Sequence, residues 1–129
     1  MKKHLEINHS DARGSIRDIF VSSPKDHCSI ITFTPDAVRA NHFHKESTQY
    51  TYVIDGEILM ATRVVDQNGE PAGEVEQVVL GPGDLVTHPP YHAHAFRAVK
   101  ASTILAFADG VRGGNEYESD VFRLKDSLV

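Results

Sequence analysis

The chain has 129 residues, a net charge of −5 with histidine neutral, 40% hydrophobic residues and a single cysteine. One cysteine excludes an intramolecular disulfide and a thiolate-rich metal site, and the acidic balance argues against a strong nucleic-acid binder. No apolar stretch approaches the length of a membrane span, and no apolar run follows the basic N-terminus as in a secretory signal, so we expect a cytoplasmic protein.

Short alternating apolar segments, each closed by turn residues, predict an all-β fold. In chain order, the predicted strands are Ser15–Val21, Cys28–Thr34, Gln49–Ile54, Glu57–Val65, Val75–Leu80, Asp84–His88, Ala93–Val99 and Thr103–Ala108. No segment keeps the 3.6-residue apolar period of a long amphipathic helix. Many short strands with regular turns are typical of a β-sandwich or barrel, and the length predicts a single domain over residues 1–129.

Turn residues mark two connections and a tail. Asp55-Gly56 separates two apolar segments and predicts a tight hairpin, whereas the polar stretch Asp66–Glu74 predicts a longer hairpin loop. The segment Gly110–Val129 begins Gly-rich and becomes amphipathic over Tyr117–Leu128. We therefore expect residues 109–129 to form a lid or packing tail rather than a further domain.

The strand predicted at Gln49–Ile54 has two distinct faces, because successive side chains alternate. The inward face carries Gln49, Thr51 and Val53, and the outward face carries Tyr50, Tyr52 and Ile54. Two tyrosines and an isoleucine are costly to leave in water. We predict a homodimer in which an N-terminal strand of a second copy covers this outward face.

Eight histidines are the unusual feature of the composition. His42 and His44 are separated by one residue, as are His92 and His94 further along the chain. On a strand, side chains at positions i and i+2 point to the same face, about 6.6–7 Å apart. That spacing suits two imidazoles that reach one cation, or one substrate, from the same wall. His88 is expected to be a wall residue rather than a ligand.

The segment from His42 through Gln49 to Gly56 resembles the first cupin motif, which reads H-x-H, a spacer, an acidic residue, six residues and glycine. The segment Gly83–His94 resembles the second cupin motif, in which glycine is followed by proline and a histidine. The resemblance covers roughly residues 28–108, which would form the barrel core. It implies a double-stranded β-helix, or jelly-roll barrel, of two antiparallel sheets with a pocket inside.

The cupin resemblance implies that His42, His44 and His94 are metal ligands, and the family's usual glutamate ligand falls on Gln49. A neutral amide would leave a divalent ion with its full charge. We therefore expect an imidazole-preferring ion such as Zn, Fe, Ni or Cu rather than a carboxylate-dependent one. A site of three histidines, with Gln49 only lining the cavity, is an open alternative, and so is a site without metal.

The metal-free alternative has its own resemblance. His42-Phe43-His44-Lys45 followed by Gln49 is similar to cupin-fold enzymes of deoxysugar-nucleotide metabolism, which use histidines for proton transfer. Asp11-Ala12-Arg13-Gly14 is similar to the D-x-R-G opening of nucleotide-sugar epimerases and ketoisomerases of this fold. The candidate catalytic residues are then His42, His44, Tyr50 and Tyr91, and the candidate substrate-binding residues are Arg13, Arg39, His92 and Arg97. The arginines are chosen because planar guanidinium groups suit a diphosphate.

Three functions stay open on these residues. The matched H-x-H-K with Gln49 favours a sugar-nucleotide isomerase or epimerase, since histidine can remove and return a proton next to a keto group near neutral pH. The intact histidine triad favours a metal-dependent dioxygenase of a small organic substrate, with ligand positions left for O₂ and substrate. The third is a non-catalytic ligand-binding cupin. All three have a small-molecule partner and neither nucleic acid nor a membrane.

Overall fold

The computed structural model describes residues 1–110 and 119–129, and these residues form β-strands and no helix. The strands are β1 (Lys2–His4), β2 (His9–Asp11), β3 (Gly14–Ile16), β4 (His27–Phe33), β5 (Val38–Phe43), β6 (Thr48–Val64), β7 (Glu76–Leu80), β8 (Asp84–His88), β9 (His92–Asp109) and β10 (Phe122–Arg123). The predicted all-β class is confirmed. Within these two ranges, nothing helical is long and apolar enough to cross a membrane.

Two long strands connect both sheets of the barrel. β6 and β9 have 17 and 18 residues and pair antiparallel with each other from end to end. The first half of β6 and the second half of β9 lie between β8 and β4, with β1 beside β8. The other halves lie between β7 and β5, with β10 beside β5. This is the expected double-stranded β-helix of two antiparallel sheets; β2 and β3 form a separate hairpin.

The hairpin predicted at Asp55-Gly56 is wrong, because β6 continues through these residues. The register between β6 and β9 shifts several times between Val53 and Ile58, so both strands bend together from one sheet into the other. Gly56 has φ +105°, and a Cβ there would lie 2.6 Å from the backbone of Ser102 on β9. Glycine is therefore required for the close approach of two bent strands, a need that the sequence alone does not distinguish from a tight turn.

Further strand predictions need correction, and one loop is confirmed. The strands predicted at Ala93–Val99 and Thr103–Ala108 are parts of the single strand β9. The N-terminal strand predicted at Ser15–Val21 is reduced to β3, and β5, which carries His42, was not among the predicted strands. The longer hairpin loop forms as expected between β6 and β7. The carboxylate of Asp66 accepts hydrogen bonds there from the backbone N–H groups of Asn68 and Glu70, at 2.8 and 3.0 Å.

The apolar core fills the barrel beside the histidines. Its buried members are Phe33, Val53, Ile58, Met60, Leu80, Val86, Phe96, Ala98 and Ile104. Each fully buried large apolar side chain stabilises the fold by roughly 1.5–3 kcal/mol. The apolar cluster meets the polar pocket at Phe96, whose ring centroid lies 5.7 Å from that of His88 and 5.9 Å from that of His94.

The outward tyrosines of β6 are covered by the chain's own N-terminal segment. The Phe20 ring packs edge-on against Tyr50 with centroids 5.2 Å apart, and Lys25 Nζ lies 4.3 Å from the centre of the Tyr50 ring. Arg17 donates a hydrogen bond to the Tyr52 hydroxyl at 3.3 Å. The homodimer prediction assigns this cover to a second copy of the chain. Because the chain covers its own tyrosines, the homodimer stays a prediction, and its remaining support is the apolar side chains that are exposed elsewhere.

The described part of the tail, residues 119–129, packs against β5. β10 pairs with the end of β5, and Phe122, Leu124 and Leu128 pack against a buried cluster around Phe43 on the outside of the barrel. Asn41 anchors the last residues of the chain through three hydrogen bonds. Its backbone carbonyl accepts from Leu124 N–H and its Oδ1 accepts from Leu128 N–H, while its Nδ2 donates to the carbonyl of Asp126. The Gly-rich piece and the start of the amphipathic stretch, residues 111–118, lie outside the described residues.

Candidate functional site

Four histidines converge inside the barrel, and all are at most 7% exposed. The ring centroid of His42 lies 4.8 Å from those of both His44 and His94. The ring of His88, the expected wall residue, stacks on that of His94 with centroids 4.2 Å apart. Its Nε2 shares a hydrogen bond of 3.0 Å with the Thr51 hydroxyl. Three strands and one turn therefore bring together side chains that lie up to 52 positions apart in the printed sequence.

A β-bulge in β5 sets the direction of His42. Ala40 pairs with Ala95 and His42 pairs with His94, so Asn41 is an extra residue in the ladder. Ala40 and Asn41 both have positive φ, 66° and 60°. In regular register Asn41 would lie opposite His94 and His42 would face outward, because side chains alternate along a strand. The bulge thus directs His42 into the pocket.

His44 lies just beyond β5 and is oriented by two hydrogen bonds. Its Nδ1 lies 2.8 Å from the backbone carbonyl of Asp120, and its Nε2 lies 3.0 Å from Gln49 Oε1. Since a carbonyl only accepts, Nδ1 carries a proton. A neutral ring then accepts at Nε2 from the amide NH₂ of Gln49, whereas a protonated ring donates to Oε1. The Gln49 amide can serve both forms by rotating.

Unpaired nitrogen atoms face the pocket. Among the described residues, both ring nitrogens of His42 and Nε2 of His94 are buried without a hydrogen-bond partner. His94 Nδ1 donates to the carbonyl of His92 at 3.1 Å, so its Nε2 presents a lone pair. Leaving a buried polar atom unpaired costs about 1–3 kcal/mol, so these nitrogens are suited to hold a water molecule, an ion or a polar ligand.

Burial keeps three of the histidines neutral at neutral pH. It lowers the pKa of His42 to about 4, and repulsion from a protonated His44 and from the charge of Arg123 acts in the same direction. It also lowers the pKa of His88 to about 3, with smaller contributions from the N-terminal ammonium group and neighbouring histidines. The pKa of His94 lies well below its ordinary value for the same reason. Neutral imidazole is the form that binds metal ions.

The histidines fit a divalent transition-metal ion. His42, His44 and His94 each offer a nitrogen, and these atoms all lie within 4.8 Å of one another. His44 and His94 each donate Nδ1–H to a backbone carbonyl, which is how proteins fix a metal-binding imidazole with Nε2 free for the ion. Gln49 lies beside this set through its contact with His44. Three histidines can therefore form a metal site at this position.

The family model described as Cupin matches residues 26–128. The chain belongs to the cupin family. No curated protein matches it.

Solved structures share the fold of this cupin at low sequence identity. The dTDP-4-dehydrorhamnose 3,5-epimerase of Sulfolobus tokodaii is 18% identical, with a TM-score of 0.78 over 98% of this chain and 85% of that chain. A variant of the 3,4-ketoisomerase QdtA from Thermoanaerobacterium thermosaccharolyticum, in complex with TDP-4-keto-6-deoxyglucose, is 16% identical, with a TM-score of 0.75 over 96% and 86%. A dTDP sugar isomerase from Desulfovibrio desulfuricans is 19% identical, with a TM-score of 0.74 over 90% and 80%.

The two tyrosines predicted as catalytic lie outside the pocket of this cupin. Tyr50 points away from the histidines, because it alternates with the inward residues of β6, and its hydroxyl donates to Asp109 at 3.2 Å. The Tyr91 ring stacks on Phe43, with centroids 6.1 Å apart, on the outer surface of the barrel. Neither hydroxyl is brought to His42 or His44 in this chain.

The predicted substrate-binding residues divide between the two faces. Arg13 forms an exposed pair with Asp11 at 2.7 Å in the separate hairpin, and Arg97 alternates with inward Phe96, so neither is brought to the histidines. Arg39 lies opposite Phe96 in the β5–β9 ladder but is exposed, and its Nε donates to the carbonyl of Thr32 at 3.2 Å. Its guanidinium lies 5.4 Å from the ring of Phe33. His92 contacts His94 through its carbonyl.

Two residues near the site had no local signal in the sequence. Arg123 on β10 pairs opposite His42, and its charge lowers the pKa of that histidine. Asp120 holds His44 from a position 76 residues further along the chain. Burial alone would raise the pKa of Asp120, but hydrogen bonds from Ser47, Lys45 and Glu46 lower it below its ordinary value. Only the tertiary fold brings both residues to the H-x-H segment.

Proposed function

We propose that this cupin is a sugar-nucleotide isomerase or epimerase that moves a proton next to a keto group. The observation that carries the proposal is the hydrogen bonding of His44. Its Nδ1–H is held by the Asp120 carbonyl, which leaves Nε2 as the proton acceptor beside Gln49 in a buried pocket. The likeness to an epimerase, a ketoisomerase and a sugar isomerase supports the choice of substrate class.

In this proposal the Gln49 amide rotates and releases the lone pair of His44 Nε2, which accepts the proton from the carbon next to the keto group; the new Nε2–H then donates to Gln49 Oε1. The electrons of the broken C–H bond form a C=C bond, and the keto oxygen takes up negative charge. Neutral His42 has one N–H group without a partner among the described residues, and this group donates to the charged oxygen. In an isomerase the proton returns to the neighbouring carbon, while the adjacent hydroxyl proton moves to the former keto oxygen. In an epimerase a proton returns to the opposite face of the same carbon.

His42, His44 and His94 would hold the metal ion if one is bound. A divalent ion there would act as a Lewis acid toward an oxygen of the substrate. The protein's own contribution is to keep His42 and His94 neutral by burial and to fix His44 and His94 through Nδ1. This donor set is also the observation that favours the second candidate, a metal-dependent dioxygenase of a small organic molecule.

In this proposal exposed arginines beside the pocket bind the diphosphate of the substrate. Arg39 lies opposite Phe96 in the β5–β9 ladder, Arg123 lies opposite His42 in the β10–β5 ladder, and both side chains are exposed. Planar guanidinium groups match two phosphate oxygens at once. In this proposal they hold the nucleotide outside the barrel while the sugar enters among the histidines.

The test is proton exchange in D₂O with TDP-4-keto-6-deoxyglucose, followed by NMR, with and without a chelator. We expect deuterium at a carbon next to the keto group in the wild type and its loss in His44→Asn. His9→Asn is the matched control, because His9 lies exposed in the β2–β3 hairpin. Binding without exchange would favour a ligand-binding cupin, and oxygen uptake with other substrates after loading with Fe²⁺ would favour the dioxygenase.

A further inference from the structure

We propose that Asp120 is a positioning residue for His44, an inference that rests on the proposed function. One residue of the tail makes two kinds of contact with the H-x-H segment. Its carbonyl accepts Nδ1–H of His44 at 2.8 Å, and its carboxylate binds the turn of residues 45–47. The side chain is 4% exposed, so these bonds form away from water.

The carboxylate takes the hydrogen bonds of three consecutive backbone N–H groups. Oδ1 accepts from Lys45 at 2.9 Å and from Glu46 at 3.2 Å. Oδ2 accepts from Glu46 at 3.2 Å, from the backbone of Ser47 at 2.9 Å and from the Ser47 hydroxyl at 2.8 Å. Bonds to an ionised acceptor are roughly twice as strong as neutral ones. The turn that follows His44 is therefore fixed to the tail at each of its three backbone N–H groups and at the Ser47 hydroxyl.

His44 depends on this attachment because β5 ends one residue before it. In the backbone, its carbonyl accepts from Tyr91 at 2.8 Å, but that bond does not determine the direction of the ring. The ring is directed by the Asp120 carbonyl at Nδ1 and by Gln49 at Nε2. The partner of one ring nitrogen decides which nitrogen carries the proton. Asp120 thus keeps the proton on Nδ1 and leaves Nε2 as the acceptor.

The experiment compares Asp120→Ala and Asp120→Asn with Asp126→Ala. Asp126 is exposed in the same tail, so its variant removes the same charge without touching the turn of residues 45–47. The first measurement is the imidazole ¹⁵N spectrum of His44 with and without a chelator, the second is amide hydrogen exchange at residues 45–47, and the third is kcat and KM on TDP-4-keto-6-deoxyglucose.

In the wild type and Asp126→Ala we expect Nδ1–H on His44 and slow exchange across the turn. In Asp120→Ala we expect mixed tautomers, exchange at least about tenfold faster at all three amides, and kcat lower by about 10- to 100-fold with KM little changed. In Asp120→Asn one side-chain oxygen remains, so we expect faster exchange at only one end of the turn.

An unchanged His44 tautomer and unchanged exchange in folded Asp120→Ala would overturn the proposal. If Asp120→Ala does not fold, Asp120→Asn decides it by the same two measurements. A changed tautomer in a protein whose wild type processes no sugar nucleotide would support the positioning role and count against the isomerase. The spectroscopic result therefore separates failure of this inference from failure of the proposed function.

Discussion

His42 and His94 face each other across the β5–β9 ladder with ring centroids 4.8 Å apart, and Nε2 of each ring is buried without a partner among the described residues. Two neutral imidazoles in this arrangement present lone pairs to a shared space. An ion bound between the two rings would satisfy atoms that the protein leaves unpaired, so metal binding at this position can be tested directly.

We predict that His42→Ala/His44→Ala loses any bound divalent ion and keeps the fold. The pair removes two of the three donors while leaving the apolar cluster around Phe96 intact, so the melting temperature should change by only a few degrees. Elemental analysis and thermal unfolding measure the two effects, with His9→Ala as the control. Metal retained at full stoichiometry would place the ion elsewhere, and loss of folding would make the site structural.

Gln49→Glu separates the metal site from the metal-free pocket. If an ion binds, a carboxylate beside His44 should tighten it, most for harder ions. If none binds, the carboxylate accepts from Nε2–H and holds His44 protonated, which removes the base; activity then falls and its optimum moves to higher pH. Calorimetric metal titration and a pH–rate profile of both proteins distinguish the cases. Thr51→Ser, which keeps a hydroxyl beside His88, serves as the control for a small change in the same strand.

Stability should fall as the pH drops below about 6.5. His42, His88 and His94 have pKa values lowered by burial, so below their ordinary value the unfolded chain binds protons that the folded chain does not. Each histidine lowers the free energy of unfolding by roughly 1.4 kcal/mol for every pH unit between its ordinary pKa and its pKa in the folded protein. Urea unfolding in chelator at pH 7.0, 5.5 and 4.5 measures it. A flat stability over that range would contradict the buried neutral assignment.

Gly56→Ala should lower the free energy of unfolding by about 2–3 kcal/mol. The new Cβ meets Ser102 at a residue with φ +105°. Gly81→Ala is the control, because nothing lies within 4 Å of a Cβ there. Ser102→Gly in the Gly56→Ala background should recover only the part of the loss due to the Ser102 side chain, because the Cα of residue 102 still lies 2.6 Å from the new Cβ and the strain in φ remains. Denaturant unfolding of the four proteins tests this, and equal stability of the two single glycine variants would contradict it.

The homodimer remains a prediction, now resting on the sheet that contains β4. Ile30 is 71% exposed and lies opposite Leu105, which in turn lies opposite Tyr52. Sedimentation at micromolar concentrations should show a dimer that Ile30→Lys weakens. Val21→Lys is the control, since Val21 is equally exposed but lies outside the strands. A wild-type monomer would refute the prediction.

Sequence patterns predicted most of the pocket, and their failures have physical causes. The alternation along β6 correctly predicted that Gln49 and Thr51 face inward. The same alternation places Tyr50 outward, which argues against a catalytic role for its hydroxyl. The paired histidines indicated the site, but the direction of His42 depends on a β-bulge in which Ala40 has a positive φ. Alanine rarely adopts this conformation, so the sequence gives no reason to expect a bulge there. Asp120 lies 76 residues from His44, so only long-range packing joins them.

The extra residue of the β5 bulge also has a consequence for chain length. Asn41 is the extra residue that directs His42 into the pocket. Its backbone carbonyl, Oδ1 and Nδ2 also bind the last residues of the tail. An insertion or deletion between residues 40 and 44 would therefore disturb the pocket and detach the C-terminus together. The polar loop between β6 and β7 lies beside Phe43 and the tail but carries no residue of the histidine pocket. Among related proteins, we expect variation in length to accumulate in that loop and to be absent beside the histidines.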